Sequence, residues 1–225
     1  MNWWTKKSSN PFQFYTSVKL REVTGRKART LRELVEIIKE VSGSVIYYHT
    51  HVFLQRHQNI SPEPPNDFAF WVSSTLGENK LSEELASIDI CEFSTIRELR
   101  ERIIKTIENH LFETKEPQRY ALQGKEFEFI KAHSIVMPAG FTAHNLKEFA
   151  TILEKVTIHS IYFHIFEARL RLEKAVNDFA FWIGTSVGSP ELAKIIESLD
   201  PYTFTGEGLR RELIKIINDW CTTHK

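Results

Sequence analysis

Cysteine is nearly missing: Cys91 and Cys221 are the only two in 225 residues. They lie far apart and in no metal-like spacing, which excludes a disulfide framework and makes a reducing compartment, the cytoplasm, the expectation. Neither sign of charge is in excess, since 29 basic side chains meet 29 acidic ones. A dedicated nucleic-acid binder carries a basic surplus, so no nucleic-acid partner is expected. No stretch approaches the roughly 20 apolar residues that span a bilayer, so no membrane is expected either. The opening MNWWTKKSSNPF has no continuous apolar run, and reads as an exposed tail over residues 1–11 and not as a signal peptide. Also absent are a G-x-S-x-G elbow, Walker or Rossmann glycines, an H-E-x-x-H pair and a helical Glu-x-x-His pair. No cofactor and no metal is therefore expected. What remains is an apolar content of 42%, enough for a packed core.

The chain repeats itself. Phe12-Gln13-Phe14 recurs as Phe127-Glu128-Phe129, and Ile46-Tyr47-Tyr48-His49 as Ile161-Tyr162-Phe163-His164, both at a shift of 115. A loop then shortens, and Asn66-Asp67-Phe68-Ala69-Phe70-Trp71 recurs as Asn177-Asp178-Phe179-Ala180-Phe181-Trp182 at a shift of 111. One further residue is lost before LRERIIKTI at Leu99–Ile107 returns as LRRELIKII at Leu209–Ile217. Order kept over this length points to an internal duplication, with a first repeat over 12–112, a linker over 113–126 and a second repeat over 127–221.

Helix signals dominate each repeat. Thr30-x-x-Glu33, Asn145-x-x-Glu148 and Thr95-x-x-Glu98 are capping-box patterns ahead of helical apolar spacing. SVIYYHTHVF is rich in β-branched and aromatic residues, which suits a strand. Its counterpart SIYFHIFEARLRLEK runs on into helix formers, so both copies are read as helix. Alternation from Phe12 to Leu20 suggests a short strand. The expected fold is mainly α: two similar helical halves of about five helices each, every half opened by a short strand or extended segment.

The runs SVIYYHTHVFLQRH, PPNDFAFWV and LASIDICEFSTIRELRERI, with their second-half counterparts, resemble a prokaryotic domain family whose function is not assigned. The likeness spans nearly the whole chain except the tail and linker. It implies a stand-alone prokaryotic protein and carries over no catalytic residue.

Candidate chemistry gathers on one constellation present twice. At ~100° per residue, His49 and Arg56 share a helix face, as do His164 and Arg171. Asp67 and Asp178 open the next helix, a short loop away, where contact with the histidines is feasible. The functional reading is a His–Asp couple with an arginine for an anion. The structural reading is that Asn66 or Asp67, and Asn177 or Asp178, cap helices, while Phe68, Phe70 and Trp71 fill the core. The second copy adds Glu167 where the first has Val52, so a single site would use His164, Glu167, Arg171 and Asp178. A basic cluster around Thr24-Gly25, from Lys19 to Arg32, reads as solvated surface. The function expected from these residues is non-enzymatic: an accessory or regulatory module that holds an unknown protein partner or a small anionic ligand in the cleft between two pseudo-symmetric halves. The alternative is an enzyme with a His–Asp–Arg site in the second half.

Overall fold

The computed structural model describes residues 2–57, 66–114, 119–168, 176–199 and 203–224. Two long strands, β1 (Phe12–Ala28) and β2 (Phe127–Ala143), pair into one two-stranded sheet. Lys27 meets Glu128 at 3.2 Å and Glu22 meets His133. As one strand's number rises by five the other falls by five, so the strands run antiparallel. The helices after β1 are α1 (Leu31–Glu40), α2 (Gly43–Tyr47) continuing through a π-helical turn (Tyr48–Val52) into α3 (Phe53–His57), α4 (Asp67–Trp71) with a π-helical turn (Val72–Leu76), α5 (Asn79–Ala86) and α6 (Ile96–Glu113). After β2 come α7 (Leu146–Leu153), α8 (Ile158–Tyr162) with a π-helical turn (Phe163–Glu167), α9 (Asp178–Trp182) with a π-helical turn (Ile183–Val187), α10 (Pro190–Glu197) and α11 (Gly206–Thr223).

The expectation of a mainly α chain in two similar helical halves, each opened by a short strand, is overturned by this sheet. Each strand has 17 residues, and the fold is a helix-rich α/β arrangement. The alternation fades after Leu20 for a physical reason. From Val18 onward most of β1 is exposed, and so is most of β2 from His133 to Gly140, so nothing imposes a period of two there.

Two compact units emerge, and the division falls inside both strands. One is contiguous, Lys19–His133. The other has two segments, Met1–Val18 with Ser134–Lys225. The contiguous unit packs Leu34 and Ile38 of α1, Leu81 and Leu85 of α5, and Leu99, Ile103 and Ile107 of α6 into a closed core. Phe127 and Phe129 of β2 enter that core, and Phe127 stacks on Phe68 at 5.1 Å. The two-segment unit is built from Leu146, Phe149, Phe179, Leu192, Leu209, Leu213 and Ile217, with Phe12 and Phe14 of β1 inserted. Phe12 touches Phe149 and Trp182 at ring separations of 5.4 and 5.5 Å. Burying a phenylalanine is worth about 1.5–3 kcal/mol, so each inserted strand end contributes substantially to its unit. Trp3 and Trp4 pack, partly buried, on the two-segment core, where Lys147 N–H donates to the Trp4 carbonyl at 3.2 Å.

Local signals explain the helix starts. Thr95 and Glu98 form a reciprocal capping box, and Thr30 and Asn145 accept from the N–H groups of Glu33 and Glu148. Among the described residues no helix is long and apolar enough to cross a membrane.

Candidate functional site

The doubled Asn-Asp-Phe-Ala-Phe-Trp divides its labour residue by residue. Asn66 and Asn177 are the caps: each side-chain oxygen accepts an N–H three residues on, from Ala69 and Ala180, at 2.9 Å. The adjacent aspartates are thereby left to face the histidines. Phe68 and Phe179 are fully buried. Trp71 and Trp182 are buried, and their indole N–H groups donate to the carbonyls of Lys125 and Asn10, both at 2.8 Å. Phe70 was expected in the core and is not: it is 50% exposed, as Phe181 is 49% exposed. Phe68, Ala69 and Trp71 are all buried, at about 0°, 100° and 300° around the helix, which leaves Phe70, at about 200°, on the outward side.

In the two-segment unit, His164 sits on the π-helical turn after α8, only 2% exposed. Its Nδ1 lies 2.8 Å from Asp178 Oδ2, and its Nε2 accepts the backbone N–H of Tyr15 in β1 at 2.9 Å. A carboxylate accepts only and a backbone N–H donates only, so the ring carries its proton on Nδ1. Ser160 Oγ donates to the carbonyl of the same Tyr15 at 2.6 Å, and Ser17 Oγ donates to Glu167 at 2.8 Å. In the contiguous unit, His49 is fully buried on its own π-helical turn. Its Nδ1 is 2.6 Å from Asp67 Oδ2, and its Nε2 accepts the N–H of Ile130 in β2 at 2.9 Å. Val45, Val52 and Ala132 stand in this unit at the sequence places of Ser160, Glu167 and Ser17, so the extra polar ties have no counterpart here.

Arg56 is exposed, and donates to the Tyr48 hydroxyl at 3.0 Å. The π-helical turn Tyr48–Val52 covers His49 and the three residues after it, so the ~100° count that placed His49 and Arg56 together does not hold over this stretch. Arg171 lies outside the described residues. His51, two residues after His49 on the same turn, stacks on Tyr47 at 5.1 Å and bonds Thr50 Oγ at 3.0 Å. Burial holds it neutral, its pKa pushed down to about 3. Among the described residues no group of three or more histidine, cysteine and acidic side chains could hold a metal ion. Of the basic cluster, Arg26 pairs with Glu40, Lys27 with Glu128, and Lys19 lies over the Tyr47 ring. Burial pushes the Cys221 thiol up to about 11.

A cleft of about 530 Å³ lies in the two-segment unit, beside this constellation. Pro11, Gln13 and Tyr15 of the N-terminal segment line it together with Val136, Phe163, His164 and Asp178. Its volume falls in the ordinary range for small-molecule sites. Sequence reasoning missed Ser160 on α8, and missed Tyr15, Ile130 and Ser17, which the histidine-bearing helices meet across 81 to 150 residues of chain. No local pattern encodes such a partner.

Fold and site together define a helix-rich α/β protein in which buried histidines, each paired with a half-buried aspartate, hold strand backbone. The chain belongs to the family of unknown function DUF5752, which it matches over residues 9–218. Among solved structures it is similar to one described as "The structure of OrfY from Thermoproteus tenax", with 28% identity and a TM-score of 0.82. That match covers 96% of this chain and 98% of the other. No curated protein matches.

Proposed function

We propose that this protein is a non-enzymatic binding module, and that its ligand surface is the cleft along Pro11–Tyr15 in the two-segment unit. One observation carries the reading: both ring nitrogens of His164 are occupied by bonds that hold the fold. Using Nε2 as a base would release Tyr15 N–H, and using Nδ1 as an acid would release Asp178. The same holds for His49 with Ile130 and Asp67. An enzyme built on either couple would have to break its own strand contact at each turnover. The cleft lining is mainly apolar and aromatic, with Gln13, His164, Asp178 and the Tyr15 hydroxyl as its polar groups. An anion entering it would face Asp178, so an apolar, uncharged small molecule suits it better than the small anion expected from the arginines. The rest of the reading is a cytoplasmic protein, without a nucleic-acid partner, descended from an internal duplication of the 12–112 and 127–221 segments.

The test is protein-observed NMR with a fragment library. Binding fragments should shift the amides of Gln13, Tyr15, Val136 and Phe163 as a group. Val136 is 49% exposed, so Val136→Arg should abolish those shifts without lowering the melting temperature. The reading fails if millimolar fragments leave these amides unmoved, or if Val136→Arg binds as well as the parent.

A further inference from the structure

Buried histidines are unevenly distributed. Among the described side chains, the contiguous unit holds three, His49, His51 and His110, at 0%, 4% and 6% exposure. The two-segment unit holds His164 alone, at 2%. By the shifts of 115 and 110 that align the repeats, His51 corresponds to Phe166 and His110 to Trp220. Two titratable rings in one unit thus stand where the other has rings that never charge.

Their surroundings differ in what happens when a proton arrives. His49 faces the Asp67 carboxylate, with the rings of Tyr48, Phe68, Phe127 and Phe129 around it. His110 faces Glu78 at 3.5 Å, which Arg119 also contacts at 3.2 Å, and Thr114 Oγ. Either imidazolium would have a counter-charge. His51 has none among the described residues. Its neighbours are Thr50 Oγ and the Tyr47 ring, and the cation Lys19 lies 5.2 Å from that same ring. Phe166 occupies the corresponding place against Tyr162, at a ring separation of 5.1 Å, with no charge to gain.

We infer that the contiguous unit is an acid-sensitive element that opens in mildly acidic solution while the two-segment unit stays closed, and that His51 is its trigger. His51 sits two residues from His49 on the same π-helical turn, so loosening that turn also loosens the bond that holds Ile130 of β2. The sign follows from burial, the only cause of the depressed His51 value near 3. The closed unit keeps His51 neutral, and the open unit lets it take up a proton below its ordinary value of 6.5. Stability is therefore complete above that value and is lost as the pH falls toward 3. At pH 5 the opening equilibrium should be favoured about thirty-fold over its value at neutral pH.

Amide hydrogen exchange on the full chain, read as protection factors at pH 7.5 and pH 5.0, tests this. Ile130 and the amides of α1 and α6 should lose about thirty-fold more protection than Tyr15 and the amides of α7 and α11. In His51→Phe the excess should shrink below about threefold, and Phe166→His should create a loss in the two-segment unit. Should His51→Phe fail to fold, His51→Gln is likewise neutral at every pH and carries the same expectation. Equal loss in both units of the parent protein, or an excess that persists in the neutral variants, overturns the inference.

Discussion

Replacing His164 by leucine measures how much the strand contact is worth. The substitution keeps an apolar body of similar size in the core and removes two bonds. The first is from Tyr15 N–H, which would be left part-buried without this acceptor. A buried donor without an acceptor costs about 1–3 kcal/mol. The second is to Asp178, which loses one donor, worth about 1 kcal/mol. Their sum centres on about 3 kcal/mol, and at this chain length each kcal/mol lowers the melting temperature by about 2–4 °C. A drop of about 6–12 °C is expected. The variant should still fold, because Ser160 and Ser17 continue to tie β1 to the α8 helix and its π-helical turn. Urea denaturation supplies the free energy, and hydrogen exchange at Tyr15 supplies its location. A cost below about 1 kcal/mol, or unchanged protection at Tyr15, would refute the idea that this histidine holds the strand. A companion variant, His49→Leu, should cost a similar amount but raise exchange at Ile130 more. Val45, Val52 and Ala132 offer no polar tie in the places of Ser160, Glu167 and Ser17.

Single contacts give further outcomes. A double-mutant cycle on Ser17→Ala and Glu167→Val should show a coupling of about 1–2 kcal/mol, since the hydroxyl donates to a charged acceptor; additive effects would show the bond to be idle. Thr95→Ala removes one arm of the capping box at α6 and should cost about 1 kcal/mol by urea titration, whereas Thr95→Ser should keep most of the stability; equal losses in the two variants would deny the cap its role. In a Cys91→Ser background, Cys221 should resist a disulfide reagent at pH 8 until the protein unfolds. Burial raises its pKa to about 11 and leaves it 1% exposed, so rapid labelling of the native protein would contradict the described packing.

Helix starts were legible because they are local. Thr30, Thr95 and Asn145 each find a partner three residues away, and the capping pattern states that distance outright. The Asp178–His164 and Asp67–His49 contacts were within reach of the same reasoning, since each aspartate follows its histidine by only 14 or 18 residues. The sheet was not legible. Its strands pair across more than 100 residues, and their middle portions carry no alternation because both sides of the ribbon meet solvent there. The π-helical turns were invisible for another reason. One extra residue per turn leaves the apolar composition intact and only rotates the residues beyond it, so the ~100° count from His49 to Arg56 fails there.

The recurring His–Asp pair answers a need that the fold itself creates. A strand edge laid against another strand finds alternating donors and acceptors. An edge laid against a helix finds none, because the helix backbone has already spent its own. Tyr15 is such a case, and its N–H and carbonyl are both met by side chains, His164 Nε2 and Ser160 Oγ. An imidazole can serve as the acceptor only in one tautomer. The aspartate enforces it by taking the Nδ1 proton as a hydrogen bond, which turns the lone pair on Nε2 toward the strand. The neighbouring asparagine takes over the helix cap and so frees the aspartate for this task. Catalytic couples use the same atoms, but they leave one nitrogen open to a reacting group. Here that nitrogen accepts a backbone N–H of the chain itself in each unit, from Tyr15 and from Ile130, so on the proposed reading the couple holds a strand.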